Sequence, residues 1–124
     1  MGSHHKIIIA GGRRFRDFEL LRAVLNAKFK DVHNLAVISG CCPTGADALG
    51  ERYAAVIEAP VVKFPADWAT YGRAAGPIRN RAMAEYADEA IVFWDGKSFG
   101  SASMIREMKR VDKPCTVVMY EEHA

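Results

Sequence analysis

The sequence predicts a three-layer α/β domain, with helices on both faces of a five-stranded, mainly parallel sheet. Three observations carry that expectation. Short apolar runs alternate four times with longer segments of helical spacing, and a fifth run closes the series. The runs are apolar at nearly every position, as strands covered on both faces must be. The chain has 124 residues, enough for one domain and too few for two.

The elements follow in order. Residues 6–10, centred on Ile7-Ile8-Ile9, end in Gly11-Gly12 and read as a buried strand entering a tight turn. Asp17 stands before Leu20, Leu21, Val24 and Leu25, a helical stripe with a natural N-cap. Residues 35–38 form the second strand and run into a turn-rich loop. Residues 46–57 carry Ala46, Leu49, Tyr53, Ala54 and Ile57 on one helical face, and Glu58-Ala59-Pro60 ends it. Residues 61–64 are the third strand, followed by a long loop over residues 65–76 and a helix over 77–86, with Pro77 in its first turn. Residues 89–94 are the fourth strand, 95–100 a loop with two glycines, 101–110 a helix and 115–120 the fifth strand. Right-handed crossovers put every strand-to-helix loop at the C-terminal edge of the sheet, a Rossmann-like arrangement.

Residues 1–5, Met-Gly-Ser-His-His, resemble a tag remnant, so the domain is assigned to residues 6–120 and the tail to 121–124. No apolar run approaches the roughly 20 residues of a membrane span, and no signal peptide is read. The expectation is a cytoplasmic protein without membrane contact. A net charge of +2 is too small for nucleic-acid binding by bulk electrostatics. The three cysteines lack zinc spacing and read as free thiols, with a redox role for Cys41 or Cys42 as the minor alternative. His33 reads as an exposed turn residue and His123 as part of the tail. No metal site and no cofactor are expected.

Four loops carry the candidate chemistry. In the first, Gly11 and Gly12 allow close backbone approach to a ligand, and Arg13 offers charge to phosphate. Arg14 and Arg16 extend that cluster. The second runs from Ser39-Gly40 through Thr44-Gly45 to Asp47, a strand, loop and helix N-terminus that can cradle an anion. It lacks the Gly-Lys-Ser/Thr ending of a P-loop, which disfavours Mg-NTP hydrolysis. Asp47 has the alternative role of a helix cap. In the third, Trp68 and Tyr71 can stack on a base, while Arg79 and Asn80, with Arg73 and Arg81 nearby, can hold phosphate or ribose. A Trp68 packed on the core is the plainer alternative. In the fourth, Gly96, Ser98, Gly100 and Ser101 again join a strand to a helix N-terminus, where serines cap or touch phosphate.

Together these segments resemble the YspA-like, YpsA-related branch of the SLOG superfamily. That superfamily also holds the LOG-type phosphoribohydrolases and the Rossmann domain of the DNA-processing protein DprA. The resemblance spans nearly all of residues 6–120. It rests on Gly11-Gly12-Arg13 with Phe15 and Asp17, and on Ser39-Gly40 with Thr44-Gly45-Ala46-Asp47. A third segment is the most specific: Phe64-Pro65-Ala66-Asp67-Trp68, Tyr71-Gly72, Ala74-Ala75-Gly76-Pro77, Arg79-Asn80 and Met83. The last comprises Gly96, Ser98 and Gly100. Members often carry Gly-Gly or Gly-Ala where Cys41-Cys42-Pro43 stands, and threonine at Ser101.

The resemblance implies a domain that binds a nucleotide or an NAD- or ADP-ribose-like ligand as a sensor or sequestering module. It also implies phage or mobile-element contexts and a homodimer or higher homo-oligomer. The alternative is hydrolysis of a nucleotide N-glycosidic bond, with Arg79 on the phosphate and Asp67 or Asp95 as acid/base. LOG-type enzymes carry a glutamate where this chain has Met104, and a thioether cannot carry a proton as a carboxylate does. Glu107 lies one turn further along. Single-strand nucleic-acid binding, by analogy with DprA, is the third expectation and the least favoured.

Overall fold

A computed structural model describes residues 3–121. Its sheet contains β1 (His5–Gly11), β2 (Leu35–Ser39), β3 (Val61–Lys63), β4 (Glu89–Trp94) and β5 (Cys115–Met119). The principal helices are α1 (Phe18–Lys28), α2 (Gly45–Val56), α4 (Ala75–Tyr86) and α5 (Phe99–Arg110), with the four-residue α3 (Trp68–Tyr71) between β3 and α4. Every strand pair is parallel, in the order β3-β2-β1-β4-β5. The expected Rossmann-like α/β fold is therefore present, with the sheet fully parallel. Among the described residues, no helix is long and apolar enough to cross a membrane.

Alternation along β1 explains the unbroken apolar run. Ile7 and Ile9 pack with Leu21 and Leu25 of α1, Tyr53 of α2, and Val37, Ile91 and Phe93 of neighbouring strands. Ile8 and Ala10 face the other way, onto Met83 and Ala84 of α4 and Met104 and Met108 of α5. Successive side chains of a strand point to opposite faces, so a strand buried on both must be apolar throughout. Each large side chain so buried contributes about 1.5–3 kcal/mol. The edge strand β5 is less covered, with Val117 38% and Met119 59% exposed.

Some boundaries differ from the sequence reading. β1 takes in His5, one residue ahead of the expected domain start. The His5 N–H donates to the Asn34 carbonyl at 2.9 Å, and its ring meets Glu89 at 2.5 Å. Residues 1, 2 and 122–124, His123 among them, lie outside the described residues. The segment expected as a loop over 65–76 contains α3 and a 3-10 turn, Gly72–Ala74. α4 begins at Ala75, which places Pro77 third in the helix, where a missing N–H breaks no intrahelical bond. α5 begins at Phe99, capped by Ser98.

The order of winding positions the site. The chain runs outward from β1 through β2 to β3, then crosses back to β4 on the other side of β1. Loops leaving β1 and β4 therefore diverge to opposite faces and open a crevice at their carboxyl ends, the place where open α/β sheets hold ligands.

Candidate functional site

A cleft of about 1180 Å³ occupies this crevice, walled by the loops after β1, β2, β3 and β4 and by the first turns of α4 and α5. Its volume exceeds the roughly 300–1,000 Å³ of ordinary small-ligand pockets.

Local chemistry fixes each wall. Gly12 donates its N–H to the Phe93 carbonyl at 3.1 Å, and its own carbonyl accepts from Ala46 N–H at 3.2 Å. The first two loops are thereby joined backbone to backbone. Gly45 makes the approach possible. Its φ is +72°, and a β-carbon there would stand 2.2 Å from the Gly12 carbonyl oxygen and 2.6 Å from Arg13 Cα. Gly40 has a different neighbour set. A β-carbon on it would meet Arg79 Nη1 at 2.8 Å and Asp47 Oδ2 at 2.9 Å, so a guanidinium and a carboxylate flank this one residue.

Arg79 is held by two contacts. Its Nε donates to Asn80 Oδ1 at 3.0 Å, and its Nη1 donates to the Gly40 carbonyl. Asn80, 7% exposed, donates in turn to the Gly100 carbonyl and the Ser103 hydroxyl, each at 3.3 Å. The chain of bonds ties α4 to α5 and aims the guanidinium into the cleft. In the fourth loop, Asp95 accepts from Lys97 N–H at 2.8 Å and Ser98 N–H at 2.9 Å. Trp94 Nε1 donates to the Ser98 carbonyl at 3.0 Å, and Ser98 Oγ accepts from Ser101 N–H at 3.3 Å, capping α5.

The electrostatic balance is positive. Arg13, Arg14, Arg73, Arg79 and Arg106 line the cleft against two carboxylates, Asp47 and Asp95. These two differ in kind. Burial pushes the Asp47 carboxyl above its usual range, against the pull of the Cys42 N–H and of Arg79. The Ser98 and Lys97 N–H groups hold Asp95 below its usual range. The Cys41 thiol is pushed up by burial and by the charge of Glu51, which keeps it protonated and works against the redox reading. Cys41 also sits at φ +68°, a left-handed conformation that glycine adopts more readily than any residue with a β-carbon.

Most of the expected site residues meet here. Gly11, Gly12, Arg13, Gly40, Thr44, Asp47, Trp68, Arg79, Asn80, Asp95, Ser98, Gly100 and Ser101 all line the cleft. Trp68 is 52% exposed rather than anchored in the core. Four expected residues stand outside the lining. Ser39 is buried, its hydroxyl donating to Glu51 at 2.6 Å and accepting from Cys41 N–H at 3.1 Å. Gly45 serves the loop contact described above. Gly96, at φ +84°, turns the fourth loop beside Met119. Asp67 caps α3, accepting from Thr70 N–H at 3.1 Å. Asp47 does not cap α2 as the alternative had it; Oδ2 accepts from Cys42 N–H at 3.1 Å and braces the second loop.

Both acid/base candidates thus have local structural tasks. Glu107 pairs with Arg110 at 2.7 Å and does not line the cleft, while Met104 is buried in the core and lines the cleft. Tyr71 and Arg16 also lie outside the lining, and Arg81 pairs with Glu85 at 3.4 Å. Sequence reasoning missed Phe99, Arg106 and Tyr120 as lining residues. Phe99 and Arg106 are seven apart on α5 and share one helical face, a spacing that was there to be read. Among the described residues, no group of three His, Cys, Asp or Glu side chains is placed to hold a metal ion.

A family model described as YspA, cpYpsA-related SLOG family matches residues 5–71, from β1 through α3. No curated protein and no solved structure matches the chain.

Proposed function

Because the chain belongs to the YspA, cpYpsA-related SLOG family, we infer that its cleft binds a nucleotide or a nucleotide-derived ligand of the NAD or ADP-ribose kind. The observation that carries this reading is the surplus of arginines over carboxylates at the crevice between β1 and β4. Charge-assisted bonds from guanidinium groups and N–H groups at the start of α2 suit phosphate oxygens. Arg79 is the principal anchor, since its guanidinium is already oriented by Asn80 and the Gly40 carbonyl. Preorganisation of this kind lowers the entropy lost on binding. The protein acts as a sensor or sequestering module, and the homo-oligomer implied by the resemblance belongs to the same proposal; a monomeric mass by light scattering removes that part.

The test is a thermal shift across AMP, ADP, ATP, NAD, ADP-ribose and cyclic nucleotides, with each hit re-isolated by chromatography. A ligand present at 100 times its dissociation constant adds about 2.7 kcal/mol of stability. A hit recovered intact fits a binding module, and no hit at all defeats the reading.

One observation favours hydrolysis of an N-glycosidic bond as a second reading. Asp47 is 9% exposed, lines the cleft and is held above the usual carboxylate range. A carboxyl so tuned suits proton transfer to a leaving base. Recovery of free base from a hit, abolished by Asp47→Asn with binding retained, is its signature.

A further inference from the structure

The cleft carries two exposed aromatic side chains, and only one belongs to a segment singled out for base recognition. Trp68 is 52% exposed and Phe99 is 91% exposed, and both line the same cavity. Their positions are linked through α4. The Trp68 ring lies over Gly76, where a β-carbon would stand 3.4 Å from its edge. Phe99 is the first residue of α5, beside Gly100, whose carbonyl accepts from Asn80 of α4. Gly76 and Asn80 are four residues apart and so occupy one face of α4, about 6 Å apart along the axis.

The helices run side by side in the same direction, because each joins successive parallel strands of one sheet. Their first turns are therefore neighbours, and the two aromatics rise from that shared end. On α5, Phe99 and Ser103 are four apart, and Ser103 accepts from Asn80. Phe99 thus belongs to the face that looks toward α4.

We propose that Trp68 and Phe99 form an aromatic slot that stacks the flat base of the ligand, with the anionic end directed to Arg79 and Arg13. The proposal rests on the nucleotide reading above and adds its recognition element. Buried Gly76 supplies a floor without a side chain, and Arg79 stands one turn further into the cleft. The slot explains why a large apolar ring sits uncovered at a polar mouth: a ligand ring covers it. Stacking of this kind tolerates any base, since every base has a π face. The ligand class is then an anion bearing a planar aromatic ring, and a bare sugar phosphate is a poor substitute.

The experiment is calorimetric titration of AMP, ADP-ribose and ribose 5-phosphate into the wild type, Phe99→Ala, Phe99→Leu and Phe99→Tyr. Exposed Phe99 makes these variants neutral to folding. The wild type should bind AMP or ADP-ribose at least about tenfold more tightly than ribose 5-phosphate. Phe99→Ala and Phe99→Leu should each lose about tenfold for the base-bearing ligands and nothing for ribose 5-phosphate, while Phe99→Tyr retains wild-type affinity. Equal binding of all three ligands, or affinity indifferent to Phe99→Ala, overturns the slot and leaves the phosphate site standing. A change in oligomeric mass in place of affinity assigns Phe99 to a contact between copies and also overturns it. Failure of every ligand to bind removes both the slot and the reading beneath it.

Discussion

Gly45→Ala is the sharpest single perturbation of this fold, because two separate costs fall on one methyl group. The backbone at φ +72° charges an L-residue about 1–2 kcal/mol. The added carbon would stand 2.2 Å from the Gly12 carbonyl oxygen and 2.6 Å from Arg13 Cα. Both are backbone atoms and cannot swing aside, so the loops after β1 and β2 must separate. Overpacking of that kind costs about 1–3 kcal/mol. The Ala46 N–H bond to Gly12 is lost with it, at about 1 kcal/mol. The sum is about 3–6 kcal/mol, a large share of the roughly 5–15 kcal/mol that holds a domain together. With a urea dependence of about 1–3 kcal/mol per molar, the midpoint should fall by about 2 M. Gly100→Ala is the control. No atom lies within 4 Å of its β-carbon position, and alanine suits the first turn of a helix, so its midpoint should match or slightly exceed the wild type. Equal midpoints for Gly45→Ala and the wild type would refute the account of how the two loops are joined.

Three further outcomes are expected. Cys41→Gly relieves a left-handed backbone at φ +68° while adding freedom to the unfolded chain, so denaturation should show a net gain of about 0.5–1 kcal/mol. Asp47→Asn keeps an acceptor for Cys42 N–H and removes a carboxyl whose native titration burial has raised. The native state then holds that proton more tightly than the unfolded chain, so wild-type stability from this group is full below the ordinary carboxylate range and falls as pH rises through the native value. Melting temperatures should therefore favour the asparagine variant at neutral pH, with the gap closing in acid; a constant gap contradicts this. Gly40→Ala should act on the ligand more than on the fold, since its β-carbon meets the ends of Arg79 and Asp47 side chains, which can move. Ligand affinity should drop severalfold with a melting temperature near the wild type.

The sheet was legible in the sequence because its signal is local. Ile7-Ile8-Ile9 reads as a strand buried on both faces, and glycines after the strands announced the loops that line the cleft. Ser98 as the cap of α5 was equally readable from its place before a helical stripe. The carboxylates were harder, because their tasks depend on which N–H groups the fold brings near. Asp67, Asp95 and Asp47 look alike in sequence, yet one caps a four-residue helix, one braces its own loop and one lies buried between Cys42 and Arg79. Helix α3 itself is too short to show a hydrophobic period. The pairing of Ser39 with Glu51 joins a strand end to a helix face, so Ser39 is kept out of the cleft lining by a partner that spacing alone does not reveal.

The central claim is that an anionic, nucleotide-derived ligand is anchored by Arg79 in the crevice between β1 and β4. Its most direct test is calorimetric titration of ADP-ribose into the wild type and Arg79→Gln at fixed ionic strength. A bond to a charged group contributes about 1.5–3 kcal/mol, so the variant should bind about 10- to 150-fold more weakly. Equal affinity for the two proteins would contradict the claim and move the ligand elsewhere.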